Sequence, residues 1–157
     1  MKLVVLEKES LGTDLDITYF NEFGEVDYYD RTVYDEIADR IADADIVIAN
    51  KVPLNESTLS GAKNLKIICE TATGYNNVDL DYCKARGIRV TNVVGYSTPI
   101  VAQHTFALLF YILEKLNYYD EYVKTGKYTE NGMFSHFGKP FAELSGMTWG
   151  IIGLGAI

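Results

Sequence analysis

The sequence contains few of the residues that build metal centres and disulfide frameworks, with two cysteines and two histidines in 157 residues. Cys69 and Cys83 form no C-x-x-C motif, and no group of cysteine and histidine has the spacing of a metal site. We therefore expect no metal. We also expect both cysteines to be small buried residues of a protein in a reducing cytoplasm.

Long apolar runs and an excess of basic residues are also absent. No apolar segment approaches the ~20 residues of a membrane-spanning helix, and the apolar start of the chain is too short for the core of a signal peptide. The 22 acidic residues outnumber the 14 basic ones, which gives a net charge of -8. This charge argues against binding to nucleic acid or to an anionic membrane, but it permits a small anionic substrate.

The sequence does contain an alternation of short apolar segments with helical patterns. The apolar segments predict five β-strands, at residues 2–6, 25–29, 45–50, 65–69 and 88–91. Apolar residues at helical spacing predict helices at residues 34–42, 55–61 and 78–86. Asn55 or Ser57 is the predicted N-cap of the second helix, and Asp79 opens and Gly87 ends the third. This order is typical of an α/β fold with a parallel, doubly wound sheet, with linkers at residues 92–98 and 125–146.

The longest predicted helix runs from Pro99 to Lys124, with Thr98 as its N-cap and Gly126 as its stop. Residues 105–113 are apolar on nearly every side of this helix. Because such a helix is unfavourable on a solvated surface, we expect another domain or another subunit to cover it on more than one side.

The end of the chain has the pattern of a nucleotide-binding turn. Residues 149–152 form an apolar run that predicts a buried strand, and Gly153-x-Gly155 follows it directly. In a G-x-G-x-x-G fingerprint, the first glycine makes a tight turn and the second lets the backbone approach a pyrophosphate. The third glycine of that fingerprint would follow Ile157. A strand that ends in a flexible glycine tail is the alternative interpretation.

Two predicted loops lie where the ligands of open α/β sheets bind, beyond the carboxyl ends of the strands. Lys51 follows the third strand and supplies a positive charge suited to a carboxylate, although a solvated lysine before a turn has the same pattern. After the fourth strand, the small residues Ala72, Thr73 and Gly74 expose successive backbone N–H groups, which suit an anion. The alternative for this second loop is an ordinary glycine turn between strand and helix.

Four motifs occur in an order that resembles one family. They are Ala72-Thr73-Gly74-Tyr75-Asn76-Asn77-Val78-Asp79, Gly87-Ile88-x-Val90-x-Asn92, Val101-Ala102-Gln103-His104-Thr105 and the segment from Leu144 to Ile157. This order resembles the D-isomer-specific 2-hydroxyacid dehydrogenases, the group of glycerate, phosphoglycerate and D-lactate dehydrogenases. The resemblance covers residues 45–157, whereas residues 1–44 fit by position alone.

The resemblance implies two domains. Residues 1–97 would form a flavodoxin-like, five-stranded substrate domain, and residues 98–157 would begin a Rossmann domain with the long helix and its first strand. A homodimer is implied as well, because in this family the long helix packs across the subunit interface. The family also implies NAD or NADP as the cofactor and a small 2-oxo acid as the substrate. The Asn50-Lys51 loop favours hydroxypyruvate or glycerate.

The expected site residues follow from the same resemblance. Lys51, Thr73 and Gly74 are expected to bind the substrate, with backbone N–H groups holding its carboxylate. The residues expected to contact the cofactor are Thr73, Thr105, Gly153, Gly155, Ala156 and Ile157.

The catalytic arginine, glutamate and histidine of this family lie downstream of the pyrophosphate turn, so none of them is expected in this chain. His104 and His136 do not occupy those positions. We therefore expect the chain alone to be inactive and to bind no cofactor, and we expect residues 149–152 to be disordered or paired with a second copy. The alternative hypothesis is a non-enzymatic nucleotide-sensing or oligomerisation module.

Overall fold

The structure is a computed structural model that describes all 157 residues of the chain. It divides into two compact units, Met1–Val94 and Gly95–Ile157. The first unit contains all of the β-strands, and the second contains helices and irregular segments. None of the helices combines the length and the apolar character that crossing a membrane requires. The assignment of substrate binding to residues 1–97 and of cofactor binding to residues 98–157 stays a prediction.

The first unit is built on a five-stranded sheet, in which each strand lies within two residues of its predicted position. The strands are β1 (Lys2–Val5), β2 (Glu25–Tyr28), β3 (Ile46–Ala49), β4 (Ile67–Glu70) and β5 (Arg89–Thr91). Their order is β2-β1-β3-β4-β5, and every neighbouring pair is parallel. This is the order of flavodoxin-like, doubly wound sheets, so the predicted α/β fold is confirmed.

Three short helices connect the strands, namely α1 (Ile37–Arg40), α2 (Glu56–Leu59) and α3 (Leu80–Ala85). Asn55 caps α2, because its side-chain oxygen accepts a hydrogen bond from the Ser57 N–H at 3.0 Å. Asp79 caps α3 in the same way, accepting from the Tyr82 N–H at 2.9 Å. Gly87 follows α3 with φ of +71°, the left-handed conformation that glycine adopts most readily. The predicted helix at 34–42 is a 3-10 turn followed by the single turn of α1.

The central strands are largely apolar because both faces of the sheet are covered. Successive side chains of a strand point to opposite faces, so the central strands β1, β3 and β4 contribute to two cores. One core contains Val4, Val47 and Ile68 together with residues of α1, α2 and α3. The other contains Leu3 and Val5, packed against half-buried residues of two 3-10 segments.

The two cysteines differ in burial, and both are free thiols. Cys83 of α3 is buried in the first core, as predicted. Cys69 of β4 is only half-buried, which differs from the expectation. It packs on the second core, where 3-10 segments rather than long helices provide the cover.

The second unit contains α4 (Thr98–Leu113), α5 (Leu116–Lys124) and α6 (Lys127–Asn131). The prediction of one helix from Pro99 to Lys124 was wrong, because Lys115 adopts φ of +56° and interrupts it. The Nζ atom of Lys115 donates to the Ile112 carbonyl at 3.1 Å and satisfies one of the carbonyl groups exposed by the break. Helix α6 lies inside a predicted linker, bounded by glycines with positive φ at both ends.

The strand predicted at residues 149–152 is absent from the structure, where these residues form irregular backbone. A strand needs a neighbour for its N–H and C=O groups, and the second unit contains no other strand with which it could pair. Apolar exposure extends to α4, in which no residue is buried and Ile112 keeps 62% of its surface exposed. The apolar pattern of both segments therefore remains without cover in this unit.

An aromatic cluster holds the segment after α6 against α5. The rings of Tyr122 and His136 stack with centroids 3.7 Å apart, and the Tyr118 hydroxyl and His136 Nε2 share a hydrogen bond of 2.7 Å. Tyr119 packs edge-on against Phe141. His136 therefore packs against α5 in this structure.

We expect Asp79→Ala to lower the free energy of unfolding by about 1 kcal/mol, because the first turn of α3 loses its side-chain cap. Urea denaturation followed by circular dichroism measures this change. The matched control is Asp79→Asn, which offers the same acceptor oxygen and should cost much less. Equal losses for the two variants would contradict the capping role.

Candidate functional site

The carboxyl ends of the five parallel strands lie at one edge of the sheet, and the loops that leave them form the candidate site. The ladder extends past the regular strands at this edge. The Leu6 N–H donates to the Ile48 carbonyl at 3.0 Å, and the Thr71 N–H donates to the Ala49 carbonyl at 2.8 Å. The loops after β1, β3 and β4 therefore begin from fixed neighbouring positions, which is where open α/β sheets bind ligands.

The loop after β4 is tied to the chain after β5 by three hydrogen bonds. The Thr73 hydroxyl donates to the Val93 carbonyl at 2.8 Å, and the Val93 N–H donates to the Ala72 carbonyl at 3.0 Å. The side-chain amide of Asn92 donates to the Thr73 carbonyl at 2.8 Å. Two of these bonds occupy the carbonyl groups of Ala72 and Thr73. The N–H groups of Thr73 and Gly74 donate to no acceptor within the chain, so they are free to bind an anion.

The backbone conformation at position 74 does not require a glycine. The φ of Gly74 lies outside the left-handed region, and a Cβ atom added there would meet only Asn76 Oδ1, at an ordinary contact distance of 3.8 Å. An alanine would therefore fit at this position without displacing its neighbours.

The loop after β3 is held by a carboxylate that the sequence analysis missed. Glu7 Oε2 accepts hydrogen bonds from the backbone N–H groups of Asn50 at 2.7 Å, Lys51 at 2.8 Å and Val52 at 3.2 Å. The side chain of Lys51 is exposed and takes part in no ion pair. One residue, Leu6, separates Glu7 from the end of β1, so the rule that ligand sites follow strand ends could have identified it.

Glu70, at the end of β4, connects the loops after β3 and β4 through Asn77. Its side chain is only 2% exposed, and its Oε1 atom accepts from Asn77 Nδ2 at 2.8 Å. The same Nδ2 atom donates to the Val52 carbonyl at 3.1 Å. Glu70 Oε2 is buried without any partner. An acidic residue ending an otherwise apolar strand was the signal that sequence reasoning could have used.

Burial raises the pKa of Glu70 above its ordinary value, because the charged carboxylate loses its hydration. The hydrogen bond from Asn77 opposes this rise, the negative charge of Glu7 adds to it, and the positive charge of Lys51 opposes it. The charges of Glu7 and Lys51 therefore both act on Glu70 at this edge of the sheet.

The residues predicted to contact the cofactor lie partly together in the second unit. Thr105 and Ile157 line one open, largely apolar groove of about 780 Å³ that also involves Phe106 and Trp149. The Thr105 hydroxyl donates to the Val101 carbonyl at 2.9 Å.

The glycine turn does not form a phosphate cradle in this structure. Gly153 has φ of +105°, but Gly153, Gly155 and Ala156 lie in exposed irregular backbone, with neither a preceding strand nor a following helix. A pyrophosphate site of this type requires the N-terminus of a helix. The structure therefore brings Thr105 and Ile157 together without assembling the turn around them.

Comparison with known protein families identifies the family of the chain. The family described as D-isomer specific 2-hydroxyacid dehydrogenase, catalytic domain, matches residues 4–147. The chain belongs to this family. The matched residues include the loops after β1, β3, β4 and β5, which contain the candidate site.

Two curated members of the family resemble the chain along nearly its whole length. The hydroxypyruvate reductase of Blautia hydrogenotrophica is 38% identical over 161 residues, which include 100% of this chain and 50% of that protein. The glycerate dehydrogenase of Methylorubrum extorquens is 36% identical over 157 residues, which include 99% of this chain and 49% of that protein. The chain therefore spans about half the length of the curated relatives it matches.

A solved structure of the same family has a similar fold. The D-lactate dehydrogenase of Aquifex aeolicus, complexed with NAD and lactic acid, superposes with a TM-score of 0.68 and 26% identity. The similarity covers 92% of this chain and 41% of that one. The family membership and the α/β fold thus rest on both sequence and structure.

We expect the stability of the protein to fall, relative to that of Glu70→Gln, as the pH rises above about 4.5. Because burial raises the pKa of Glu70, the folded protein binds this proton more tightly than the unfolded chain, where the ordinary value of 4.5 applies. The resulting stabilisation is complete below pH 4.5 and is lost as the pH rises through the higher pKa of the folded state.

Denaturation of both proteins at several pH values from ~4 to ~8, a range that brackets the titration, measures this difference. Glu22→Gln is the control, since Glu22 lies on the exposed surface. A constant difference between wild type and Glu70→Gln across this range would show that burial of Glu70 does not affect its protonation.

Proposed function

We propose that the chain forms the substrate-binding part of an NAD(P)-dependent D-2-hydroxyacid dehydrogenase. In the proposed reaction, a 2-oxo acid gains a hydride at C2 and a proton on its carbonyl oxygen, which yields the D-2-hydroxy acid. The nicotinamide would supply the hydride. The chain spans about half the length of its curated relatives, so the complete reaction is itself part of this proposal.

One observation supports this proposal above the others. The N–H groups of Thr73 and Gly74 are unpaired at the carboxyl end of β4, although the carbonyl groups of Ala72 and Thr73 are engaged. Backbone N–H groups in such a turn bind carboxylates without any rearrangement of side chains. A 2-oxo acid carries one carboxylate beside its reacting carbonyl, so binding at these amides would orient C2 as well.

Lys51 is the proposed second contact of the substrate. It is the basic side chain of the loop after β3, and its charge already acts on Glu70 at this edge. A carboxylate bound at Thr73 and Gly74 would gain from the same positive charge. Proton transfer is assigned to none of these residues.

The proposed substrate is a small 2-oxo acid such as hydroxypyruvate, with D-glycerate as the product. The support comes from the names of two relatives, the hydroxypyruvate reductase of Blautia hydrogenotrophica and the glycerate dehydrogenase of Methylorubrum extorquens. Both are more than one third identical to this chain, at 38% and 36%. A nucleotide-sensing or oligomerisation module finds no support among the relatives.

NAD or NADP is the proposed cofactor, and the residues proposed to contact it are Thr73, Thr105, Gly153, Gly155, Ala156 and Ile157. In the present conformation, residues 153–157 do not fit a pyrophosphate, because no helix N-terminus lies behind them. The resemblance assigns the catalytic arginine, glutamate and histidine to positions after the glycine turn. We accordingly propose that the chain alone binds the substrate anion without turnover, and that it acts in the cytoplasm.

We expect hydroxypyruvate to shift the backbone amide resonances of Thr73 and Gly74 in a saturable manner when it is titrated into the isotope-labelled chain. Gly74→Pro removes one N–H donor, so it should weaken this binding by about tenfold or more, the worth of one hydrogen bond to a charged group. Gly74→Ala is the matched control, because it keeps the donor and its Cβ fits at 3.8 Å from Asn76.

Two outcomes of the titration would contradict the proposed substrate site. The first is that hydroxypyruvate leaves the amides of Thr73 and Gly74 unchanged. The second is that Gly74→Pro, while still folded, binds hydroxypyruvate as well as Gly74→Ala does.

We also propose a homodimer in which α4 packs on a second copy, and we expect Ile112→Glu to convert the dimer into a monomer. The side chain of Ile112 is exposed in this unit, and a charge buried at an interface is strongly unfavourable. Gln103→Glu adds the same charge at an exposed polar position of α4 and serves as the control. Light scattering coupled to size-exclusion chromatography gives the mass, and a monomeric wild type would contradict the homodimer.

A further inference from the structure

Glu7 occupies an anion-binding nest that belongs to another loop of the same chain. Three successive backbone N–H groups, those of residues 50–52, converge on its Oε2 atom at 2.7, 2.8 and 3.2 Å. Successive N–H groups in a turn form a concavity that takes anions such as carboxylate or phosphate. In this chain the anion is an internal side chain rather than a ligand.

The position of Glu7 is set by the sheet. It follows β1, which lies between β2 and β3, and the Leu6 N–H is bonded to the Ile48 carbonyl at 3.0 Å. The nest begins immediately after the end of β3. Because adjacent parallel strands place both segments at one edge, the carboxylate reaches the three N–H groups without distorting either loop.

The charges around this edge leave little attraction for a second external anion. Lys8 pairs with Asp30 at 2.7 Å, and Arg31 pairs with Glu9. Lys51 is the basic residue of the nest loop that remains outside an ion pair. An incoming anionic group would meet the carboxylate of Glu7 where the three donors would otherwise receive it.

We propose that Glu7 determines substrate specificity by occupying this nest, so that the site accepts one external anionic group, at Thr73 and Gly74, and disfavours a second. This inference rests on the proposed function, because Thr73 and Gly74 are the proposed carboxylate site. It assigns the substrate to the monoanionic 2-oxo acids. Analogues with a phosphate or a second carboxylate are disfavoured, because the donors that would bind that group are already satisfied and the local charge is negative.

Removal of the internal carboxylate should uncover the nest. Inorganic phosphate is the probe, and the readout is the set of backbone amide resonances of the isotope-labelled 157-residue chain. In the wild type, phosphate should shift the amides of Thr73 and Gly74 and leave those of residues 50–52 unchanged. In Glu7→Ala, phosphate should in addition shift the amides of residues 50–52 with a saturable dependence on concentration. Without phosphate, these amides should exchange with solvent about tenfold faster or more, because each loses a bond to a charged acceptor.

A second variant and a control complete the experiment. Glu7→Gln keeps an acceptor oxygen in the same place, so it preserves the loop even if Glu7→Ala does not fold. Phosphate should displace the neutral amide oxygen of this variant and shift the same three resonances, at higher concentration than in Glu7→Ala. Glu22→Ala removes one negative charge from an exposed position and should respond to phosphate as the wild type does.

A ligand pair then tests specificity directly. We expect 3-phosphoglycerate to bind Glu7→Gln at least about tenfold more tightly than it binds the wild type, the gain of roughly one hydrogen bond to a charged group. The affinity for D-glycerate should change much less. Equal affinity of wild type and Glu7→Gln for 3-phosphoglycerate would overturn the proposal, and so would phosphate-induced shifts of residues 50–52 that are the same in wild type and variants.

The outcomes separate this inference from the proposed function. Failure of hydroxypyruvate to shift the amides of Thr73 and Gly74 contradicts the proposed substrate site. Failure of phosphate to reach residues 50–52 in folded Glu7→Gln contradicts the role of Glu7 alone.

Discussion

Parallel pairing of the five strands is the constraint on which the candidate site depends. Because all strands run in one direction, the segments that follow them meet at one edge of the sheet, and their backbone groups must find partners there. Side chains from neighbouring loops provide several of these partners, and backbone groups provide others. Glu7 satisfies three N–H groups of the loop after β3, and Asn77 connects that loop with the end of β4. The N–H groups of Thr73 and Gly74 are left open.

The site is therefore defined by which donors are already engaged. Two carboxyl groups, Glu7 and Glu70, lie at an edge that is proposed to bind an anion, and their environments differ. Three N–H groups hold the carboxylate of Glu7, whereas burial raises the pKa of Glu70 and favours its neutral form. With Lys51 beside them, the balance of charge suits a ligand with one negative charge rather than two.

The second unit contains apolar segments but no sheet against which they could pack. Helix α4 has no buried residue, and the apolar residues 149–152 form no strand. Both patterns require cover that residues 95–157 do not provide for themselves. This agrees with the family comparison, in which the chain spans about half the length of its curated relatives.

Periodicity, capping and motif order are local properties, so the sequence alone could predict the five strands, their parallel arrangement, the cap at Asp79 and the family. It left Asn55 and Ser57 as alternative caps of the second helix, and the structure selects Asn55. The break at Lys115 could not be predicted, since a turn in the left-handed region depends on surroundings that no local pattern encodes. For residues 149–152, the sequence already indicated that no pairing strand lies within the chain, and they form irregular backbone in the structure. The roles of Glu7 and Glu70 were also decided by tertiary structure. A glutamate looks the same in sequence whether it is solvated or buried, and only the pairing of β1, β3 and β4 brings these two side chains to the donors of other loops.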